Sequence, residues 1–252
     1  MRALVISDIH SNLQAFQAVL AAAPKHDVVW NLGDIVGYGA NPNEVVDLAR
    51  KLCGIIVRGN HDRACSGTMH FSEYRQLSQL AVNSSDWTEK VLTRERREWL
   101  SQLPRGPLRP TRKALCVHGS PWNENTYTFS MDDAVTVFRS CSSRVIFCGH
   151  THVQIGWKLS RNEVVLVNPQ FERESGVREF QLRLDSRIRY LLNPGSVGQP
   201  RDGDWRAAFA VYDDSEAVFS WHRVPYKVRF AQFAIRRAEL PEVFATRLQD
   251  GT

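Results

Sequence analysis

Cysteine is scarce in this chain of 252 residues: there are five, an odd number, with no pair at CxxC spacing. A disulfide framework is therefore not expected, and a reducing cytoplasm is the expected setting. No stretch approaches the ~18 consecutive apolar residues of a membrane span, so neither a transmembrane helix nor a membrane partner is expected. The opening residues Met1-Arg2-Ala3-Leu4-Val5-Ile6 run straight into a strand pattern, so no cleavable leader is expected. Internal repeats, low-complexity tracts and linkers are also missing, so residues 1–252 are expected to form one domain. Charge is not extreme. A formal +5 with a pI near 9.1 mildly favours anionic partners but does not by itself point to nucleic acid. With 43% hydrophobic and 23% charged residues, the composition is that of an ordinary globular protein.

What is present is an alternation of short apolar runs and helical patterns. Leu4-Val5-Ile6 reads as a buried strand ending in Ser7-Asp8-Ile9-His10. A helix follows with Leu13, Phe16, Val19 and Ala23 on one face, and Ser11 and Gln14 are spaced like a capping box. Val28-Val29-Trp30 leads into Asn31-Leu32-Gly33-Asp34, and Asn41-Pro42-Asn43-Glu44 marks a second helix start. Ile55-Ile56-Val57 leads into Arg58-Gly59-Asn60-His61-Asp62. Strands separated by helices imply βαβ units and a largely parallel sheet. Residues 63–113 differ. They read as a polar helical insertion with Trp87, Val91, Trp99 and Leu100 turned inward, and carry ten Lys/Arg against five Asp/Glu. A solvated helix face is the expected role of those charges, with a phosphate-attracting rim as the alternative; the segment is also the one support for a rival reading as a nuclease acting on DNA or RNA. Strand patterns resume at Leu115-Cys116-Val117 and Val145-Ile146-Phe147-Cys148, then at 164–167, 179–184, 207–212 and 217–221, the last two forming a hairpin. Helical pattern returns over 229–248, broken by Pro241.

Five strand ends carry residue types that bind metals: Asp8 and His10; Asp34; Asn60 and His61; His118; His150 and His152. They hold five of the eight histidines. Taken singly, each has a bland explanation: Asp8 as a helix cap, Asn60 as a turn residue, His118 as a satisfied polar group. Carboxyl ends of strands in an α/β sheet line one crevice, however, so together these groups should converge. Cys116 and Cys148 precede histidines by two residues but lie in apolar strands and read as core. Tyr38 either touches substrate or packs in its loop; Arg201 reads equally well as a solvated turn charge. His26, His70 and His222 match no motif.

In this order and spacing, Asp8-x-His10, Gly33-Asp34, Gly59-Asn60-His61-Asp62, His118-Gly119-Ser120-Pro121 and Gly149-His150-x-His152 resemble the calcineurin-like metallophosphoesterase superfamily. The later Asn193-Pro194-Gly195-Ser196 is similar to its small bacterial phosphodiesterase branch. No ligand motif is missing, unlike in those members that have become protein-binding scaffolds. The resemblance implies an α/β fold, a four-layer αββα sandwich of two mixed β-sheets flanked by helices. It also implies two divalent metal ions, manganese first, with iron, nickel or zinc also suited to such groups. Asp34 would bridge them, with Asp8, His10 and His152 on one ion and Asn60, His118 and His150 on the other. A hydroxide shared by the ions would attack a phosphodiester or a small nucleotide-type substrate. His61 would serve the leaving oxygen as catalytic acid or electrostatic partner, with Asp62 orienting its ring. A small phosphorylated substrate is thus the expected partner, with selectivity set by residues 63–113, 122–133 and 198–205.

Overall fold

The computed structural model of the protein describes residues 1–171 and 178–252. In chain order the elements are β1 (Arg2–Ile6), α1 (Leu13–Ala22), β2 (Val28–Asn31), α2 (Pro42–Leu52), β3 (Ile55–Ile56), α3 (Asn60–Ser66), α4 (Phe71–Tyr74), α5 (Gln79–Val91) and α6 (Arg94–Ser101). There follow β4 (Ala114–Cys116), α7 (Met131–Ser140), β5 (Val145–Phe147), β6 (Gln154–Ser160), β7 (Glu163–Val167), β8 (Arg178–Arg183), β9 (Arg189–Pro194), β10 (Ala207–Asp213), β11 (Val218–Val224), α8 (Val228–Arg237) and α9 (Glu242–Asp250).

The strands form two mixed sheets, ordered β3-β2-β1-β10-β11-β8 and β4-β5-β9-β6-β7. Each joins a parallel half (β3-β2-β1 and β4-β5-β9) to an antiparallel half. The sheets are thus less parallel than the first βαβ units suggest. Among the late strands β6-β7 and β10-β11 are joined by short hairpins, which only antiparallel neighbours can use. β6 and β9 have no counterpart in the sequence-based strands, and β9 lies at the centre of the second sheet.

Side-chain alternation along the strands explains the four layers. Ala3, Val5 and Trp30 of the first sheet face Ala114, Cys116, Val145, Phe147, Tyr190 and Leu192 of the second. Leu4, Ile6 and Val29 point the other way, onto helices α1, α2, α8 and α9. Leu115, Ile146 and Leu191 pack outward against Ala134, Val137 and Phe138 of α7. At about 1.5–3 kcal/mol for each fully buried aliphatic or aromatic side chain, these three cores supply the main driving force. Cys116 and Cys148 are buried within them, as expected of core cysteines.

Two local expectations change. Asn12 rather than Ser11 caps α1: its side chain accepts from Ala15 N at 3.1 Å while its amide nitrogen donates to Gly198 O at 2.8 Å. In α5 the inward face takes in Ala81, Ser84, Ser85 and Thr88 beside Trp87, and Val91 is exposed. Small side chains at this helical spacing let α5 approach α3 closely. The arginines of α6 are tied down at the surface, Arg94 to Glu98, Arg96 to Asp47 and Arg97 to Glu89. None of the helices among the described residues is long and apolar enough to cross a membrane.

Candidate metal centre

The carboxyl ends of β1, β2, β4 and β5, and the start of α3 just beyond β3, meet at one end of the sandwich. Asp8, His10, Asp34, His150 and His152 all have φ between 49° and 67°. The left-handed region costs an ordinary L-residue on the order of 1–2 kcal/mol, so this cluster of candidate ligands stores strain where function is expected. Glycine makes the approach possible at two points. A Cβ on Gly59 would stand 2.1 Å from Asp34 Oδ1, and one on Gly149 would stand 1.9 Å from Ser7 Oγ and 2.9 Å from Asp8 Oδ2.

Two groups of donors form, sharing Asp34: Asp8, His10, Asp34 and His152, and Asp34, His118 and His150, with donor atoms within 4.8 Å of one another in each. In the first group His10 Nδ1 lies 3.0 Å from Val36 O and His152 Nδ1 2.6 Å from Gln199 O. A carbonyl can only accept, so both Nδ1 atoms carry the hydrogen and both Nε2 atoms are left with lone pairs. Those two Nε2 atoms face each other at 3.1 Å. Asp8 Oδ1 is 3.4 Å from His152 Nε2 and is buried without a hydrogen-bond partner. Lone pairs and a carboxylate turned on one another repel unless a cation stands among them. Burial drives His10 and His152 well below the usual histidine range, which keeps them neutral as ligands must be. Burial pushes Asp8 up to about 7, with the charge of Asp34 adding to the effect.

The second group is arranged differently. His118 Nδ1 donates to Leu32 O at 2.8 Å, while its Nε2 lies 3.1 Å from Asn60 Oδ1 and 3.3 Å from Asp34 Oδ2. Burial lowers the pKa of His118, but Asp34 and then Asp8 outweigh it and raise it to about 10. Asp34 is correspondingly held well below its usual value by His118 and His61, against the upward push of burial. The raised pKa favours the protonated form of His118, whose Nε2–H faces Asn60 Oδ1 and Asp34 Oδ2 together. His150 Nε2 donates to Asn125 O at 3.3 Å, which leaves its Nδ1 as the free donor atom, and burial lowers it to about 3.

His61 joins this cavity without entering either group. Its backbone N donates to Asp34 Oδ1 at 2.8 Å, and its ring meets His10 edge-on at 5.0 Å. Its Nδ1 is buried without a partner, and burial lowers its pKa. Asp62, expected to orient that ring, makes no hydrogen bond to it. Its oxygens accept from the backbone N of Gly59, Asp34, Ile35 and Val36 at 2.8 to 3.3 Å. A carboxylate at the first turn of α3 finds a row of amides there, so Asp62 fixes the Asp34 loop rather than the imidazole. Tyr38 packs against His10, His61 and Phe244, with ring centres 4.6, 4.5 and 5.1 Å apart.

Sequence reading singled out Asn193-Pro194-Gly195-Ser196 as a motif but gave it no part in locking these loops. Asn193 Nδ2 donates to Gly149 O at 2.9 Å and Thr151 Oγ1 at 3.0 Å, and Ser196 Oγ donates to Asp8 O at 2.8 Å. The Asn-Pro-Gly-Ser turn thus ties the β5 loop to the β1 loop, and its motif was the available signal. Tyr127, half exposed, stacks on His150 with ring centres 4.1 Å apart. Nothing in its local sequence marks it.

The orphaned Asp8 oxygen, the facing imidazole lone pairs and the all-N/O donor set fit divalent cations. Fold and site together define a metal-binding αββα sandwich protein. The description "Calcineurin-like phosphoesterase superfamily domain" matches residues 1–216, and the chain belongs to that superfamily. It is 35% identical to an uncharacterized protein of Methanocaldococcus jannaschii, over 97% of this chain and 96% of that one. It is 38% identical to a metallophosphoesterase from Sphaerobacter thermophilus, whose structure covers 100% of this chain and 99% of its own with a TM-score of 0.84. A hypothetical protein from Pyrococcus horikoshii OT3 shares the fold at 18% identity, TM-score 0.76, covering 100% and 98% of the two chains.

Proposed function

We propose that this protein is a phosphoesterase that uses two divalent ions, manganese first, to hydrolyse a phosphodiester or a small nucleotide-type substrate. Asp8, His10 and His152 would hold one ion, Asn60, His118 and His150 the other, and Asp34 Oδ2, which faces His10 Nε2 at 3.7 Å and His118 Nε2 at 3.3 Å, would serve both. Bound ions would supply charge for the phosphoryl oxygens and a water acidic near pH ~7. His61, beside the cluster but outside both groups, would serve the leaving oxygen as acid or electrostatic partner. What supports the reading above all is the pair of Nε2 atoms set face to face at 3.1 Å beside the orphaned Asp8 oxygen, an arrangement that a cation makes favourable.

A small substrate is preferred to nucleic acid because Arg94, Arg96 and Arg97 of the basic segment are engaged with carboxylates. Five free cysteines are in keeping with the cytoplasm. The direct test is hydrolysis of bis-p-nitrophenyl phosphate by chelator-stripped protein titrated with manganese. Turnover should appear with the metal and exceed that on the monoester. Silence with manganese, nickel, iron and zinc alike would sink the reading.

A further inference from the structure

Two guanidinium groups stand beside the candidate metal centre with no carboxylate partner among the described residues. Arg201 is anchored to the site by its backbone, whose N–H donates to His152 O at 3.2 Å. Its Cζ lies 5.8 Å from the centre of the Tyr38 ring, the ring that packs on His10 and His61. One terminal nitrogen donates to the neutral Gln199 Oε1 at 3.2 Å, and Nε is buried with no partner. Arg247 of α9 repeats the pattern: its Cζ is 6.0 Å from the centre of Phe244, which packs on Tyr38, and its Nε is also buried and unpartnered. Neighbouring arginines are treated otherwise. Arg63 pairs with Glu73 and Glu124, Arg58 with Glu124, and Arg223 with Asp202.

A half-buried cation without a counter-charge is unfavourable, and a second one nearby makes it worse. Burial and the charge of Arg201 together hold Arg247 below the usual arginine value. An arriving anion removes that cost, and the planar fork of a guanidinium matches phosphate oxygens two at a time.

We propose that Arg201 and Arg247 form an anion subsite beside the metal centre that holds a second phosphate of the substrate, so that the substrate class is a compound with two linked phosphates. The proposal rests on the reading that the metal centre takes the phosphate to be cleaved.

The test is calorimetric binding of adenosine 5′-diphosphate and adenosine 5′-monophosphate, which differ only in the second phosphate, to manganese-loaded protein at fixed free metal. The wild type should bind the diphosphate about tenfold more tightly or better, the scale of one charge-assisted contact. Arg201→Gln should collapse that ratio towards one with metal content unchanged, Arg201→Lys should restore part of it, and Arg247→Gln should lower it less. Equal affinities in the wild type, or a ratio unmoved by Arg201→Gln, overturns the subsite. If Arg201→Gln misfolds, an unmoved ratio in Arg247→Gln overturns it instead. A preserved ratio in a protein that hydrolyses no ester leaves the subsite standing and removes only the phosphoesterase reading.

Discussion

The two donor groups that share Asp34 solve the problem of a buried, metal-ready site in opposite ways. In the first, both imidazoles are locked by carbonyls so that lone pairs oppose each other, and the site stays under electrostatic strain until a cation arrives. In the second, His118 is held at a pKa of about 10 and supplies a proton that bonds Asp34 in the cation's place. Their surroundings differ as well: Tyr38 is packed against Phe244 on one side, whereas half-exposed Tyr127 covers His150 on the other. On the two-ion reading proposed above, an ion at the first group would enter a prepared cavity, whereas one at the second would have to displace a proton. The second should therefore bind more weakly and more pH-dependently.

The largest expected effect comes from the residue the groups share. Asp34→Ala should abolish binding of both ions and lower turnover by about 10³-fold or more, whereas His150→Ala should lose activity and the second ion first. Metal analysis of the purified variants separates the two, and equal retention of both ions in His150→Ala would contradict the division into groups. Next comes His61→Ala, which should leave metal content intact and cut turnover by about 10²-fold. Normal turnover at saturating metal would remove His61 from the reaction.

The smallest effect is on stability. The folded pKa of His118 is raised above the usual 6.5. Its contribution to the stability of chelator-stripped protein is therefore fully present below pH 6.5 and is lost as pH rises through about 10. Thermal melts of stripped protein should fall across that window, while manganese affinity rises across it as the competing proton leaves. The slope of the melts should shrink in His118→Asn. A pH-independent difference between wild type and variant would mean that His118 carries no such proton.

The convergence of the candidate donor residues was legible because each sits in a short motif just after an apolar run, and strand ends of an α/β sheet converge whatever lies between them. β9 was not legible. Its apolar core is only Tyr190-Leu191-Leu192, and its place between β5 and β6 is set by pairing with distant strands. The role of Asp62 was missed for a related reason: His-Asp adjacency suggests a ring contact, but the first turn of α3 directs the carboxylate to the amides of the β2 loop.

By itself, the sequence determined which side chains would end the strands, which faces of those strands would be apolar, and hence a layered fold with donors gathered at one end. Local pattern suffices for that, since side-chain alternation and strand termination are short-range properties. Only the tertiary structure decided how each donor is held. The carbonyl that fixes the tautomer of His10, the Asn193 amide that grips the Gly149 loop, the ring over His150 and the guanidinium over Tyr38 come from residues 23 to 163 positions away. Protonation and charge balance in a buried site depend on distances of a few ångströms between such groups. Those distances exist only once the chain has folded.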